Sequence, residues 1–250
     1  MSGTMKIIGL GPGSTGLITP DVKHALETAT DVIGYYPYVA RVIARPGLII
    51  HGSDNRVELH RAEHALKLAG EGRHVVVVSS GDPGVFAMAS AVFEAVETGP
   101  LGWRELDITV LPGITAMLAA AARLGAPLGH DFCVINLSDN LKPWSIIETR
   151  LRLAVEADFA MAFYNPRSKA RAEGFQKALD LLKSSCEKER LIMFARAVST
   201  PEESLRTVAL SDATPDMADM RTMVLLGSRQ TRLIPRKNAA PIVYTPRSIC

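Results

Sequence analysis

Cysteine is scarce: Cys133, Cys186 and Cys250 are the only three in 250 residues. An odd number without C-x-x-C spacing excludes a disulfide framework and a zinc knuckle. Aromatic residues make up only 6% of the chain. Charge of one sign is also lacking. Lys+Arg number 28 against 26 Asp+Glu, a net +2, too balanced for a dedicated nucleic-acid or membrane-surface binder. No apolar run approaches the ~18 residues of a membrane span, since the best, Met117–Ala122, ends at Arg123. Met1–Met5 hold neither a basic segment nor an apolar stretch, so no signal peptide is expected. These absences leave a soluble, reduced, cytoplasmic globular protein, long enough for one large domain or two modest ones.

Short β-branched runs alternate with helical stretches along the whole chain. Strands are expected at Lys6–Gly9, Asp31–Tyr35, Leu48–Ile50, His74–Ser79 and Ile108–Leu111, then at Phe132–Asn136, Phe159–Tyr164, Leu191–Phe194, Thr222–Leu226 and Ile242–Tyr244. The run HVVVVS at His74–Ser79 is apolar on both faces, as a central parallel strand requires. Helices are expected behind Thr19-Pro20, along Leu59, Ala62, Leu66 and Ala69, and along Ile114–Leu124, where Gly125 ends the helix. Others are expected behind Pro143 and along Phe175–Leu182 with Ser168 as cap. Thr200-Pro201-Glu202-Glu203 has the pattern of a capping box and predicts one more. The fold class is therefore α/β, with two α/β domains built on mixed, largely parallel sheets. Leu111-Pro112-Gly113 is the natural break, giving domains 1–112 and 113–250, and a cleft between domains is the default place for a ligand.

The chemistry-bearing segments sit at strand ends. Gly9-Leu10-Gly11-Pro12-Gly13-Ser14-Thr15-Gly16 follows the first strand and lets main chain approach a ligand closely. It is not a dinucleotide fingerprint: Ser14 takes the last glycine position, and Asp31 precedes the second strand instead of following it. It is not a phosphate loop either, because Leu17 and Ile18 replace lysine and hydroxyl. Ser79-Ser80-Gly81-Asp82-Pro83-Gly84 ends the most buried strand; alone, it also reads as an ordinary Asp-Pro-Gly turn. Leu111-Pro112-Gly113-Ile114-Thr115-Ala116 is a small-residue helix entry. His60-Arg61-Ala62-Glu63-His64 matches the H-x-x-E-H zinc pattern. At ~100° per residue, however, its histidines fall opposite the apolar stripe, and no third ligand is in view, so no metal is expected. In the second half, Asn136-Leu137-Ser138-Asp139-Asn140 and Tyr164-Asn165-Pro166-Arg167-Ser168-Lys169 each close a strand with polar groups. Arg167 and Lys169 suit a carboxylated ligand, and Ser138, Asp139 and Ser168 would each serve equally as helix caps.

In this order, Gly9–Gly13 with Thr19, Gly81-Asp82-Pro83 and Pro112–Ala116 resemble the tetrapyrrole methylase family of S-adenosylmethionine-dependent enzymes, over nearly the whole chain. Ile135–Trp144 (INLSDNLKPW), Tyr164–Lys169 (YNPRSK) and Gly227–Thr231 (GSRQT) are similar to its ring-contracting branch in cobalamin synthesis, with Asn136 and Ser228-Arg229 as departures from that branch's pattern.

The resemblance implies a homodimer with S-adenosyl-L-methionine as cofactor, S-adenosyl-L-homocysteine as its product and a small-molecule tetrapyrrole as substrate, with no nucleic acid or membrane partner. It implies cofactor contacts at Pro12, Ser80, Gly81, Asp82, Val85, Thr115, Ala116, Asn165, Ala197 and Val198. Substrate contacts would fall at Ser138, Asp139, Arg167 and Lys169, with Arg56 and Lys142 next. Contraction of the macrocycle needs a proton to leave a ring hydroxyl, and Asp139, His130 and Asp82 remain open as the general base. Another methyltransferase of the family, or a non-catalytic carrier of the corrinoid, would carry much of the same sequence.

Overall fold

The valines of His74–Ser79 explain the first half of the chain. In the computed structural model, which describes residues 3–55, 57–168 and 173–248, this strand is buried on both faces. The chain divides into two units, Met1–Thr115 and Ala116–Cys250.

In the first unit, β1 (Thr4–Gly9), β2 (Asp31–Tyr35), β3 (Ile49–Ser53), β4 (His74–Ser79) and β5 (Asp107–Leu111) form one sheet in the order β3-β2-β4-β1-β5. Every pair in it is parallel. The helices are α1 (Pro20–Thr28), α2 (Tyr36–Val39), α3 (Glu58–Gly70) and α4 (Met88–Thr98). Thr19 caps α1 by accepting a hydrogen bond from the Val22 amide at 3.4 Å, as its sequence predicts. Alternation along each strand sorts the helices by face. Met5, Ile7, Val75 and Val77 pack with Ala62, Leu66, Met88 and Val92 of α3 and α4. Ile8, Leu10, Val76 and Val78 pack with Val22 and Ala25 of α1. The helices that follow the neighbouring strands β1 and β4 thus leave on opposite faces. That makes the gap between these strand ends a topological switch point, where open α/β sheets bind ligands.

The α3 stripe differs from expectation at its start. Leu59 is exposed, and the buried face is Arg61, Ala62, Ala65, Leu66 and Ala69. Arg61 is tolerated there because it donates to Ser53 Oγ (2.8 Å) and the Asp54 carbonyl (2.7 Å). Asp31 is no ribose ligand. It begins β2, at the sheet edge opposite the glycine loop, and is 1% exposed. Burial alone raises its pKa, but hydrogen bonds from Arg73, His51 and Thr30 outweigh this and hold it at about 2, below the ordinary 3.8. Because the folded pKa is the lower one, the stabilisation is full above pH 4 and is lost as pH falls through that window toward 2; it amounts to about 2 kcal/mol. Thermal melting of Asp31→Asn should therefore fall below wild type at pH 7, with the gap closing between about pH 4 and pH 2.

The second unit holds α5 (Ala116–Leu124), β6 (Gly125–Ala126), β7 (Phe132–Asn136), α6 (Trp144–Glu156), β8 (Ala160–Tyr164), α7 (Gly174–Ser185), β9 (Leu191–Arg196), β10 (Ser204–Ala209), β11 (Thr222–Leu226), β12 (Arg232–Ile234) and β13 (Ile242–Tyr244). Its main sheet runs β10-β9-β11-β8-β7, and β12-β13-β6 form a smaller one. Ile147, Leu151, Phe175, Leu179 and Leu182 of α6 and α7 cover one face of the main sheet, over Met161, Phe163, Ile192, Phe194 and Val224. β7 is parallel to β8, and both β8 and β9 are antiparallel to β11. Strands β7, β8 and β9 therefore run the same way and end at one edge.

Two local expectations are corrected. Thr200–Glu203 opens no helix but forms a turn into strand β10. Thr200 Oγ1 donates back to the Ala197 carbonyl (2.8 Å) and accepts from the Glu202 amide, and the β-branched pattern of SLRTVA then favours pairing with β9. Helix α7 begins at Gly174 with Glu173 as its N-terminal flanking residue, so Ser168 is not its cap.

Candidate functional site

In the first unit, three loops meet where β4, β1 and β5 end side by side. Leu10 donates its amide to the Ser79 carbonyl (2.9 Å), and Gly11 and Gly81 exchange hydrogen bonds in both directions, at 3.2 and 3.0 Å. Gly11 and Gly81 adopt φ of 66° and 63°, a conformation that glycine takes without strain. Gly9, Gly81 and Gly113 then pack main chain against main chain. A Cβ on Gly9 or on Gly113 would overlap the Gly81 carbonyl oxygen, and each would lie 2.8 Å from the other glycine's Cα. Asp82 ties the second loop to the third. Its Oδ1 accepts from the Gly84 amide (2.8 Å) and its Oδ2 from the Gly113 amide (2.9 Å).

The remaining candidates of this unit are placed around these loops. Ser79 is buried and its Oγ accepts from the Met88 amide, at the start of α4. Pro12, Ser80 and Val85 are half-buried on the loops themselves, and Thr115 is buried at the end of the unit. Phe86 was not foreseen. It follows Val85, is half exposed, and is held at φ 53°, rare for a bulky residue and a mark of functional sites. No sequence pattern announces such strain.

In the second unit, the edge where β7, β8 and β9 end gathers the polar segments. Asn136 Oδ1 accepts from the Ser138 amide (2.9 Å) and from Asn165 Nδ2 (3.1 Å), joining the two segments. Asn165, Ala197 and Ser199 have φ of 52°, 48° and 65°, so three non-glycine residues at this edge are strained. The Ala197–Ser199 turn is fixed by Glu203, whose Oε2 accepts from the Ser199 amide (2.6 Å) and from Arg123 Nε (3.1 Å). Val198 is buried within that turn. Ala116 opens α5, and the Tyr164 hydroxyl accepts from the Met117 amide in its first turn (3.3 Å). In the sequence Tyr164 reads only as a strand end and Glu203 only as part of a capping box, so neither contact is announced there.

Residues 5–214 match the family model for tetrapyrrole (corrin/porphyrin) methylases. The chain belongs to this family. A protein of Sinorhizobium sp. named precorrin-3B C(17)-methyltransferase is 49% identical over 247 residues, spanning 99% of this chain and 97% of its own length. The probable cobalt-factor III C(17)-methyltransferase of Salmonella typhimurium is 37% identical over 96% of this chain and 99% of its own. Among solved structures, that of the methyltransferase CobJ superposes with a TM-score of 0.93 at 62% identity, covering 98% of this chain and all of its own.

Within this tetrapyrrole methylase the three candidate bases separate by position. His130 precedes β7, at the end of that strand opposite Asn136 and away from the polar edge, and its Nδ1 lies 3.8 Å from Asp131. Asp82 spends both carboxylate oxygens on main-chain amides and acts as a loop brace. Asp139 is exposed, and among the described residues its carboxylate holds no hydrogen bond or ion pair. Arg167 Nη1 makes a long contact with the Pro215 carbonyl (3.4 Å), and Lys142 Nζ donates to the Ser138 carbonyl (3.0 Å). Lys169 and Arg56 lie outside the described residues. His64 packs edge-on against His51, and no group of three potential metal ligands occurs among the described residues.

Proposed function

We propose that this chain transfers a methyl group from S-adenosyl-L-methionine to C(17) of precorrin-3B, with contraction of the macrocycle to precorrin-4, in cobalamin biosynthesis. The observation that carries this reading is end-to-end similarity to a precorrin-3B C(17)-methyltransferase of matching length, at 49% identity. The loops of the first unit fit the donor. They bring main chain together at Gly9 and Gly113, where any Cβ would collide with the Gly81 carbonyl oxygen, and the first loop has Leu17 and Ile18 where a phosphate loop has its lysine and hydroxyl.

S-adenosyl-L-methionine supplies, when bound, a methyl group already activated on a sulfonium. The protein's task is to orient and to exclude water, so its contribution to rate lies in positioning and desolvation. Pro12, Ser80–Asp82, Val85 and Thr115 would hold the donor, with Asp82 fixing the loops on which they sit. Ala116, Asn165, Ala197 and Val198 are further positions for the same ligand. Ser138 and Arg167 would meet the acceptor, Arg167 by charge to its carboxylates. Lys169 keeps the role its sequence implies. Asp139, the uncommitted carboxylate, would take the proton lost from the C(20) hydroxyl before the ring contracts. The reading includes a cytoplasmic homodimer. Among the described residues no helix is long and apolar enough to cross a membrane.

The test is to incubate the protein with precorrin-3B and methyl-labelled donor and to locate the new carbon by NMR. Label at C(17) with an acetyl group on the contracted ring is the expected result. Label at another carbon, or conversion only of a cobalt-bearing substrate, would move the chain elsewhere in the family. Pigment binding without turnover, and without affinity for S-adenosyl-L-homocysteine, would make it a carrier.

A further inference from the structure

Arg41 lies just beyond α2 and outside every motif at the strand ends. Its Nη2 donates to the Leu10 carbonyl (2.5 Å) and the Gly13 carbonyl (3.4 Å), and its Nη1 to the Gly11 carbonyl (3.2 Å). Three carbonyls of the loop after β1 converge on one guanidinium, which has no carboxylate partner among the described residues. Gly11 is the junction of two clamps, because its carbonyl also accepts from the Gly81 amide. Side-chain packing gives a loop of glycines little to hold its shape, and the chain loses much entropy when it is fixed. A planar fork with several fixed donors can pin three acceptors at once; an ammonium group cannot match that geometry.

We infer that Arg41 is a positioning residue for the methyl donor: it holds the Leu10–Gly13 main chain in the binding conformation before the donor arrives, so that binding does not have to order the loop. This rests on the donor-binding reading of that loop. It also explains how a strong cation can stand under a site built without a phosphate clamp: its hydrogen bonds are directed to the protein's own carbonyls.

The experiment compares Arg41→Ala and Arg41→Lys with Arg45→Ala, whose arginine likewise holds main-chain carbonyls, those of Leu26 and Ala29, but at the end of α1. Amide hydrogen exchange is read on the ligand-free protein, and S-adenosyl-L-homocysteine affinity by calorimetry. In Arg41→Ala, the Gly11 and Gly81 amides should exchange faster while β2 and β3 keep their protection. Its Kd should rise roughly tenfold to a hundredfold, the loss expected for hydrogen bonds from a charged donor. Arg41→Lys should fall between, and added guanidinium ion should recover part of the affinity of Arg41→Ala. Arg45→Ala should lower the melting temperature and leave the Kd unchanged. Wild-type affinity in either Arg41 variant overturns the inference, as does an equal loss in Arg45→Ala without guanidinium rescue. If Arg41→Ala does not fold, Arg41→Lys carries the comparison. If the wild-type protein itself fails to bind S-adenosyl-L-homocysteine, the donor reading falls separately, and unchanged Gly11 exchange in the variants would then dispose of the clamp as well.

Discussion

Gly113→Ala is expected to raise the Kd for S-adenosyl-L-homocysteine at least about a hundredfold, the scale set by an ångström of misplacement in a binding site. The new Cβ would overlap the Gly81 carbonyl oxygen and stand 2.8 Å from both the Cα and the carbonyl oxygen of Gly9. All of these are main-chain atoms, so no side chain can swing aside, and the loops after β1, β4 and β5 must part. Gly9→Ala should behave alike, since its Cβ meets the same oxygen and the Gly113 Cα. Overpacking of this kind also costs about 1–3 kcal/mol of stability, to be read by denaturant titration beside the calorimetry. Gly102→Ala, where nothing lies within 4 Å of the added carbon, is the control and should bind as wild type does. Unchanged affinity in Gly113→Ala would mean that the packed glycines shape the fold and not the ligand site.

Asp82→Ala should produce the second large effect. Both carboxylate oxygens are engaged, on Gly84 and on Gly113, and alanine leaves these amides without their acceptor. Hydrogen bonds to a charged group are worth about 1.5–3 kcal/mol each, so the affinity loss should reach roughly a hundredfold. Asp82→Asn keeps one acceptor oxygen but turns an amino group toward the other amide, so it should lose less affinity than alanine. The pair also separates two roles. A brace predicts that Kd rises in both variants in that order. A general base predicts that Asp82→Asn leaves Kd alone and removes turnover.

Much of this arrangement was legible in the residues. HVVVVS reads as a strand covered on both faces and Thr19-Pro20 as a helix start, and the structure has both, because in each case local chemistry and tertiary burial agree. The glycine segments were legible too, since absent side chains at strand ends mark close approach. What the sequence hid was set by partners far along the chain. Thr200–Glu203 has the residues of a capping box, yet Glu203 turns to Arg123 and the Ser199 amide, and the strand pairing of β10 prevails. Asp82 looked like an available carboxylate, and only the return of Gly113 to its side shows that it is spent. Arg41 carries no motif, because a guanidinium that binds main-chain carbonyls places no demand on the identity of the residues it holds. Phe86 is likewise ordinary in sequence, its strain belonging to the loop that bends there.

The most direct measurement for the central claim is a crystal structure of the protein with S-adenosyl-L-homocysteine bound. The ligand is expected against the main chain of Leu10–Gly13, Ser80–Val85 and Gly113–Thr115, with Asp82 still bonded to the Gly84 and Gly113 amides. Electron density for the ligand at any other place, with those three segments bare, would contradict it.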